Sequence, residues 1–476
     1  MTGENKKSSK ILGLVITDGV GYRNFYLSNF LPEAIKQFDR IVIFSGLPAS
    51  IYNNLQNKVQ VVELPVFIEP FKTWFWRKFK EIAHLQLHKN FFGINDNLKA
   101  NKSINNSNRG IATRFIYRIT NRFHEERFIQ YLERMQESSI KNHSVTKNCE
   151  EILKGKIPDV LFFTHQRPPY VVPLLVAAKK MKVNTGAFIF SWDNLASKGR
   201  MAATFNFYYV WSKLMKDELL YFYPNTSVKN IQIVGTPQFE PYVMPEYELD
   251  KNYFFKKFEL HETRKTICYS CGDISTSRND ELYIETIAIA IKKNKIVEKV
   301  NFIVRTSPAE EPDRFMVLKD KYTFIKWNFP QWKISRSNHP EAWSQRVPVE
   351  DDLKDLRAML QYSDFGINMC STMSIDLMLF NKPVINPVFG NEQNGLYNDQ
   401  RFLKFGHYEK VVDSKAVRIT KNENELIEAI NFYLQQPEAN SVERKKLLKL
   451  QIGKPLRGTS ERIAKALKDS ITIERN

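Results

Sequence analysis

Short apolar runs flanked by polar residues recur along this chain. Residues 11–16 (ILGLVI) are the first, followed by the tight turn Thr17-Asp18-Gly19-Val20-Gly21. Such a run reads as a strand buried on both faces, the habit of parallel sheets. A helix is predicted from about 24 to 38, and further strands at 40–44 and 59–64, the opening of a βαβ sheet. The strand rhythm returns at 159–163 and continues at 185–190, 207–210 and 231–234. A second series covers 266–270, 300–305, 322–325, 365–369 and 384–386. Amphipathic helices are predicted at 351–362, 423–434 and 460–471. The alternation predicts an α/β fold of two Rossmann-like domains, 1–245 and 255–455, with an acidic, proline-flanked linker between them and a terminal helix at 456–476. Between 70 and 150 the rhythm breaks into polar helical sequence, with a weakly structured Asn/Ser-rich stretch at 95–108.

The chain has 476 residues, 43% hydrophobic and 26% charged, which fits a globular protein of two or three domains. Its net charge of +18 points to an anionic partner. Much of that charge is local: 13 Lys/Arg against five acids between 70 and 134. There Phe71, Trp74, Phe75, Phe79 and Ile82 recur at helical spacing with Arg77, Lys78 and Lys80 among them, while Arg114, Arg118 and Arg122 fall four apart. An interfacial helix on anionic lipid has this composition, and so does a helix that packs its rings on the protein's own core. No nucleic-acid-reading motif is visible, so nucleic acid is not the expected partner. The four cysteines do not form a disulfide framework, and Cys268-x-x-Cys271 has no second pair to make a zinc site. Reduced thiols, a lead too short for a signal h-region and no apolar run of spanning length predict a cytoplasmic protein, soluble or peripheral on the inner face of the membrane.

The segment 362–390 (YSDFGINMCSTMSIDLMLFNKPVINPVFG) carries the most chemistry. A short strand runs into Ser371-Thr372, a helical pattern follows, and Lys382-Pro383 precedes another strand. Hydroxyl residues where a strand hands over to a helix suit a phosphate, because free N–H groups and the positive end of the dipole point there. Asp376, one turn on, could accept hydrogen bonds from a ribose. An ordinary Ser/Thr cap is the alternative. Ligands of parallel sheets bind beyond the carboxyl ends of the strands, so a cleft between the halves is the expected site.

A strand ending at Gly272, the Ile303-Val304-Arg305 strand with Ser307-Pro308 after it, the helix from Asp351, the Ser371-Thr372…Asp376 turn and Lys382-Pro383-Val384-Ile385 together resemble the donor domain of GT-B glycosyltransferases. Ile233-Val234-Gly235-Thr236-Pro237 resembles the exit strand of the acceptor domain, and Gly458, Ser460 and Arg462 the terminal helical segment. Ser191 to Gly199 and Tyr209-Val210-Trp211-Ser212 look most like bacterial surface-polysaccharide enzymes, including the CDP-glycerol glycerophosphotransferase-like group. That group usually has a histidine where Ser307 stands here, which favours sugar transfer over glycerophosphate transfer. The resemblance implies a nucleotide-sugar donor as substrate with no separate cofactor, a lipid-linked glycan acceptor and an anionic membrane surface as partners. It also implies diphosphate neutralisation by helix dipoles and cations rather than by a metal.

In that frame Arg305 is the natural cation, with Gly272, Ser307, Ser371, Thr372 and Asp376 around the donor. The acceptor hydroxyl needs a base. Asp193, Asp18 and His165 all fall at carboxyl ends of predicted strands; Asp193 and Asp18 rank first. Glu350-Asp351-Asp352 precedes a helix and reads as dipole-favoured capping, so no metal is expected.

Overall fold

A computed structural model describes residues 10–53, 55–390 and 399–473. The polar lead before residue 10 and positions 474–476 of the expected terminal helix lie outside the described residues. The chain divides into two compact units, one of residues 1–240, 334–347 and 453–476, the other of 241–333 and 348–452. This division takes 334–347, which the sequence reading assigned to the second domain, into the first unit together with the terminal helix.

The first unit is built on a seven-stranded parallel sheet in the order β3-β2-β1-β4-β5-β6-β7. Its strands are β1 (Ile11–Ile16), β2 (Arg40–Ser45), β3 (Val59–Glu63), β4 (Val160–Phe163), β5 (Asn184–Phe188), β6 (Phe207–Val210) and β7 (Ile231–Ile233). The apolar run of β1 pairs with β2 and β4 on its two sides, and Leu12, Leu14, Val15 and Ile16 are fully buried. The predicted helix at 24–38 is two helices, α1 (Gly19–Phe25) and α2 (Phe30–Gln37). Pro32 accounts for the break: without an N–H it suits the first turn of a helix and not its interior.

Five helices fill the stretch that interrupts the strands: α3 (Phe71–Leu87), α4 (Phe92–Ala100), α5 (Asn108–Thr120), α6 (Glu126–Ile140) and α7 (Ser144–Lys154). The weakly structured stretch expected at 95–108 is thus helical to Ala100. On α3 the outcome is core packing: Trp74, Phe79 and Ile82 are buried, and the helix lies against α5 and α6. Of its cations, Lys72 is exposed and the others are engaged within the protein. Arg77 pairs with Glu69, Lys78 with Glu81, and the buried Lys80 ammonium donates to the Ala202 carbonyl at 2.7 Å with Glu133 at 3.7 Å. After β4 come α8 (Val172–Lys180), the short α9 (Asn194–Ser197) and α10 (Lys213–Phe222).

The second unit is built on a six-stranded parallel sheet in the order β10-β9-β8-β13-β14-β15. In chain order it holds α11 (Lys251–Lys257), β8 (Lys265–Ser270), α12 (Asp280–Lys292), β9 (Val300–Arg305), α13 (Met316–Lys321) and β10 (Lys326–Asn328). A two-stranded ribbon, β11 (Trp332–Ile334) and β12 (Arg346–Pro348), brackets the segment that joins the first unit. Next come α14 (Glu350–Tyr362), β13 (Phe365–Ile367), α15 (Met373–Leu379), β14 (Val384–Pro387), α16 (Gly406–Ser414), β15 (Arg418–Thr420), α17 (Glu423–Gln435) and α18 (Ser441–Ile452). Finally α19 (Thr459–Ile473) belongs to the first unit, where it packs on α2.

The strand expected at 322–325 begins four residues later. Tyr322 caps the end of α13, its N–H bonded to the Leu318 carbonyl, and the ladder with β9 pairs Lys326–Asn328 with residues 303–305. Among the described residues no helix is long and apolar enough to cross a membrane.

Candidate functional site

In the first sheet the chain moves outward from β1 to β2 and β3, then returns to the other side of β1 as β4. The gap beyond the carboxyl ends of β1 and β4 is therefore a topological switch point, where crossovers leave in opposite directions and a crevice opens. Asp18 follows β1 and His165 follows β4, so the fold brings them together: His165 Nδ1 lies 3.0 Å from Asp18 Oδ2, and both side chains are buried. Asp18 also caps α1. Its Oδ1 accepts the Gly21 N–H at 2.8 Å and its Oδ2 the Thr17 hydroxyl at 3.0 Å. Burial alone would push its carboxyl up. The hydrogen bond and charge of His165, with the Gly21 and Thr17 donors, outweigh that and hold it below the ordinary carboxylate value. His165 is stacked on Phe190 at 3.8 Å between ring centroids, which fixes the ring plane. When the imidazole is neutral, the carboxylate favours the tautomer with the proton on Nδ1, which leaves the lone pair on Nε2.

Asp193 lies beyond β5, the strand next to β4. It sits at the start of α9, half-buried, with Oδ2 3.4 Å from Lys198 Nζ and Oδ1 accepting from the Asn194 amide. Of the three candidates, His165 and Asp18 are paired with each other, whereas Asp193 is engaged with Lys198.

Segment 334–347 lies over the same strand ends. Gln345 Nε2 donates to the Gly46 carbonyl at 3.3 Å, Arg336 pairs with Glu63 at 3.0 Å, and the Trp343 ring lies 6.4 Å from His165, edge to face. Gly19 is required here, because a Cβ on it would sit 1.6 Å from the Arg346 carbonyl oxygen. Tyr170 donates to the Thr17 carbonyl at 3.3 Å and meets His339 edge to face. Apart from Thr17 and Gly19, in the turn after β1, none of these residues was singled out in the sequence. The one available signal was a lone Trp in a polar, proline-containing run between two strands.

In the second sheet the switch point lies between β8 and β13. Gly272 follows β8; Ser371 and Thr372 follow β13; Arg305 ends β9, one strand further out, and Ser307 follows it. Parallel strands lie about 4.8 Å apart, so Arg305 and Thr372 leave strands about 10 Å apart at the same edge.

The chemistry of these groups differs from expectation. Arg305 is not a free cation: its buried guanidinium pairs with Asp352 at 2.8 Å and also donates to Asn328. Asp352 is more than a dipole-favoured acid, since it also accepts the Gln331 N–H and the Trp332 indole and so ties β9, the ribbon and α14 together. Burial works against its charge, and Arg305 more than compensates, holding the carboxyl low.

The turn into α15 is largely self-satisfied. Asn368 Oδ1 accepts the Ser371 N–H at 2.9 Å, the Ser371 hydroxyl accepts the Met373 N–H, and the Ser371 carbonyl accepts the Ser374 N–H. Cys370 takes a left-handed conformation, φ 47°, to make this turn. Ser374, Tyr408 and Asn386 continue the network behind it. Asp376 is buried and accepts the Tyr242 hydroxyl. The Ser307 hydroxyl accepts the Ala309 N–H.

Gly272 closes the loop after β8, where a Cβ would meet Ser277 Cβ at 2.7 Å. Its N–H goes to Asp280, and its carbonyl accepts from Arg314. Asp280 was not anticipated. It is fully buried, which pushes its carboxyl up to about 7 against the opposing pull of Ser277, Tyr269, Arg314 and the Gly272 N–H. Cys268 and Cys271 are buried free thiols. Among the described residues no group of three or more His, Cys, Asp or Glu is placed to hold a metal ion.

No family model matches the sequence, and no curated protein matches it. Solved structures match over nearly the whole chain. An S. aureus MnaA structure with UDP covers 98% of this chain and 98% of its own, at 11% identity and a TM-score of 0.51. The UDP-GlcNAc 2-epimerase of Neisseria meningitidis bound to UDP-GlcNAc covers 98% and 100%, at 11% identity and 0.51. A glycosyltransferase from Rickettsia africae ESF-5 covers 98% and 99%, at 12% identity and 0.50. These likenesses establish the fold: the chain is an α/β protein of GT-B type, two Rossmann-like units with a helical insertion in the first and a C-terminal helix.

Proposed function

We propose that this protein is a metal-independent glycosyltransferase that moves a sugar from a nucleotide-sugar donor to a hydroxyl of a lipid-linked glycan. The step belongs to the building of a surface polysaccharide or lipopolysaccharide, on the cytoplasmic face of an anionic membrane. The observation that carries this reading is the His165–Asp18 pair at the switch point of the first sheet. In the proposed reaction His165 Nε2 takes the proton of the acceptor hydroxyl as its oxygen bonds to the sugar C1. The bond from C1 to the phosphate oxygen breaks, and its electron pair leaves with the nucleoside diphosphate. Asp18 stays ionised and stabilises the imidazolium. Trp343, beside His165, offers an aromatic face to the acceptor. The second unit holds the donor at its own switch point. There Gly272 lets the loop after β8 close on Ser277, while Ser307, Ser371 and Thr372 supply hydroxyls and Arg305 positions the strand ends through Asp352.

The test is a transfer assay with a panel of nucleotide-sugars and lipid-linked acceptors, run with and without EDTA. Transfer is expected with the chelator present, and His165→Ala is expected to lower it by about 100-fold or more. A donor phosphorus atom carried into the product would mark glycerol- or polyol-phosphate transfer instead. No turnover of any donor, together with no rise in melting temperature with any nucleoside diphosphate, would leave a non-catalytic scaffold.

A further inference from the structure

From Asn97 to His124 the chain carries no acidic residue and six basic ones: Lys99, Lys102, Arg109, Arg114, Arg118 and Arg122. The fold gathers this stretch around α5. At 100° per residue, Ile111, Arg114, Phe115 and Arg118 fall within an arc of about 100°, and Arg122 continues it just past the helix end. All five are exposed. The opposite face, Thr113, Ile116 and Thr120, is buried, and α5 packs on α3. Ile104, in the loop leading into α5, is 98% exposed, and Phe123 just after it is 52% exposed. Where the cations have partners, these are neutral. Arg114 donates to the Asn105 carbonyl, Arg109 lies over the Trp74 ring and Arg122 over Phe123. None of the six pairs with a carboxylate among the described residues.

We propose that this face, with Ile104 before it and Phe123 after it, docks the first unit on an anionic phospholipid bilayer. It deepens the function proposed above, whose acceptor is lipid-linked, and of the two basic helices it assigns the docking surface to α5, because α3 packs its rings on the core. Cations alone would suit any polyanion. The interleaved Ile111, Phe115, Ile104 and Phe123 decide for a bilayer, because they are rewarded where they enter the boundary between headgroups and acyl chains, whereas a nucleic-acid backbone would leave them wet.

The test is flotation of the full chain with phosphatidylcholine vesicles with and without phosphatidylglycerol. Binding is expected only with the anionic lipid and should weaken with salt. The triple variant Arg114→Glu/Arg118→Glu/Arg122→Glu should lower partitioning by about 100-fold or more. Ile111→Ser/Phe115→Ser should also lower it and leave the remainder fully salt-sensitive. Both variants alter exposed side chains, so their melting temperatures should match the wild type. His165→Ala should float normally, so loss of catalysis and loss of docking are separable. Absence of flotation, or equal flotation of wild type and both variants, would overturn the proposal. So would duplex DNA binding without vesicle binding.

Discussion

In the proposed reaction His165 and Asp18 share one task, and a variant at either should cost a similar amount. His165→Gln keeps the size of the side chain and removes the basic nitrogen, so kcat should fall about 100-fold or more with little change in donor affinity. Asp18→Asn keeps the cap on α1 through the Gly21 N–H but offers an amide to Nδ1. The imidazole loses its tautomer and its counter-charge, and a loss of similar size is expected. Equal rates for wild type and Asp18→Asn would show that the pair is structural. Asp280 carries a second prediction at this scale. Its carboxyl is pushed up to about 7 in the fold, while an unfolded Asp ionises near its ordinary value. Between about pH 4 and 7 the unfolded chain therefore releases a proton that the folded chain keeps, and stability falls as pH rises through that window. Asp280→Asn should remove this part of the fall, read as the difference between wild type and variant in urea unfolding at several pH values; an unchanged slope would refute it. Asp18 and His165 were both legible as strand-end residues. Their pairing was not, because it depends on β4 lying beside β1, and strand order does not follow from hydrophobic pattern alone. Arg305 was legible for the same reason, and its commitment to Asp352 was hidden because an acid at a helix start already had a sufficient local explanation.

At the scale of elements, continuous apolar runs were enough to place nearly every strand, since a parallel strand buried on both faces must be apolar along its length. The pattern failed where packing supplies what it lacks. β10 and β15 are three residues each, below the length at which periodicity speaks. The rings and charges of α3 and the cations of α5 look alike in sequence, and only the partners Glu69, Glu81 and Glu133 show that α3 is an interior helix. Segment 334–347 was the largest omission, because nothing in a polar run says which sheet it will cover. Its attachment is testable at Gly19. Gly19→Ala places a methyl within bonding distance of the Arg346 carbonyl oxygen, and backbone cannot rotate away as a side chain could. The variant should release the segment. Limited proteolysis should then cut within 334–347 at least about 10-fold faster than in wild type, with the first sheet still folded. Cleavage at the wild-type rate would mean that the segment is held elsewhere.

The whole molecule is discontinuous in sequence: the first unit opens the chain and is finished only by its last helix. On α19, Ile463, Leu467 and Ile471 are buried. Ser470 meets the Tyr209 hydroxyl at 2.8 Å on β6, Arg462 donates to the Val234 carbonyl at 3.1 Å, and Ser460 N–H donates to Glu240 at 3.1 Å. Burying three large aliphatic side chains is worth about 5–9 kcal/mol, comparable to the roughly 5–15 kcal/mol that holds a whole domain. On that scale the first 240 residues are expected not to stay folded alone, even though they contain every strand of their sheet. Ending the chain at Ile452 should abolish slow amide exchange in β1, β2 and β6 while leaving β8 and β9 protected, since the second unit loses no residue. Uniform loss of protection across both sheets would show a single cooperative body. Full retention would show that α19 is dispensable and that the first sheet stands without the end of the chain.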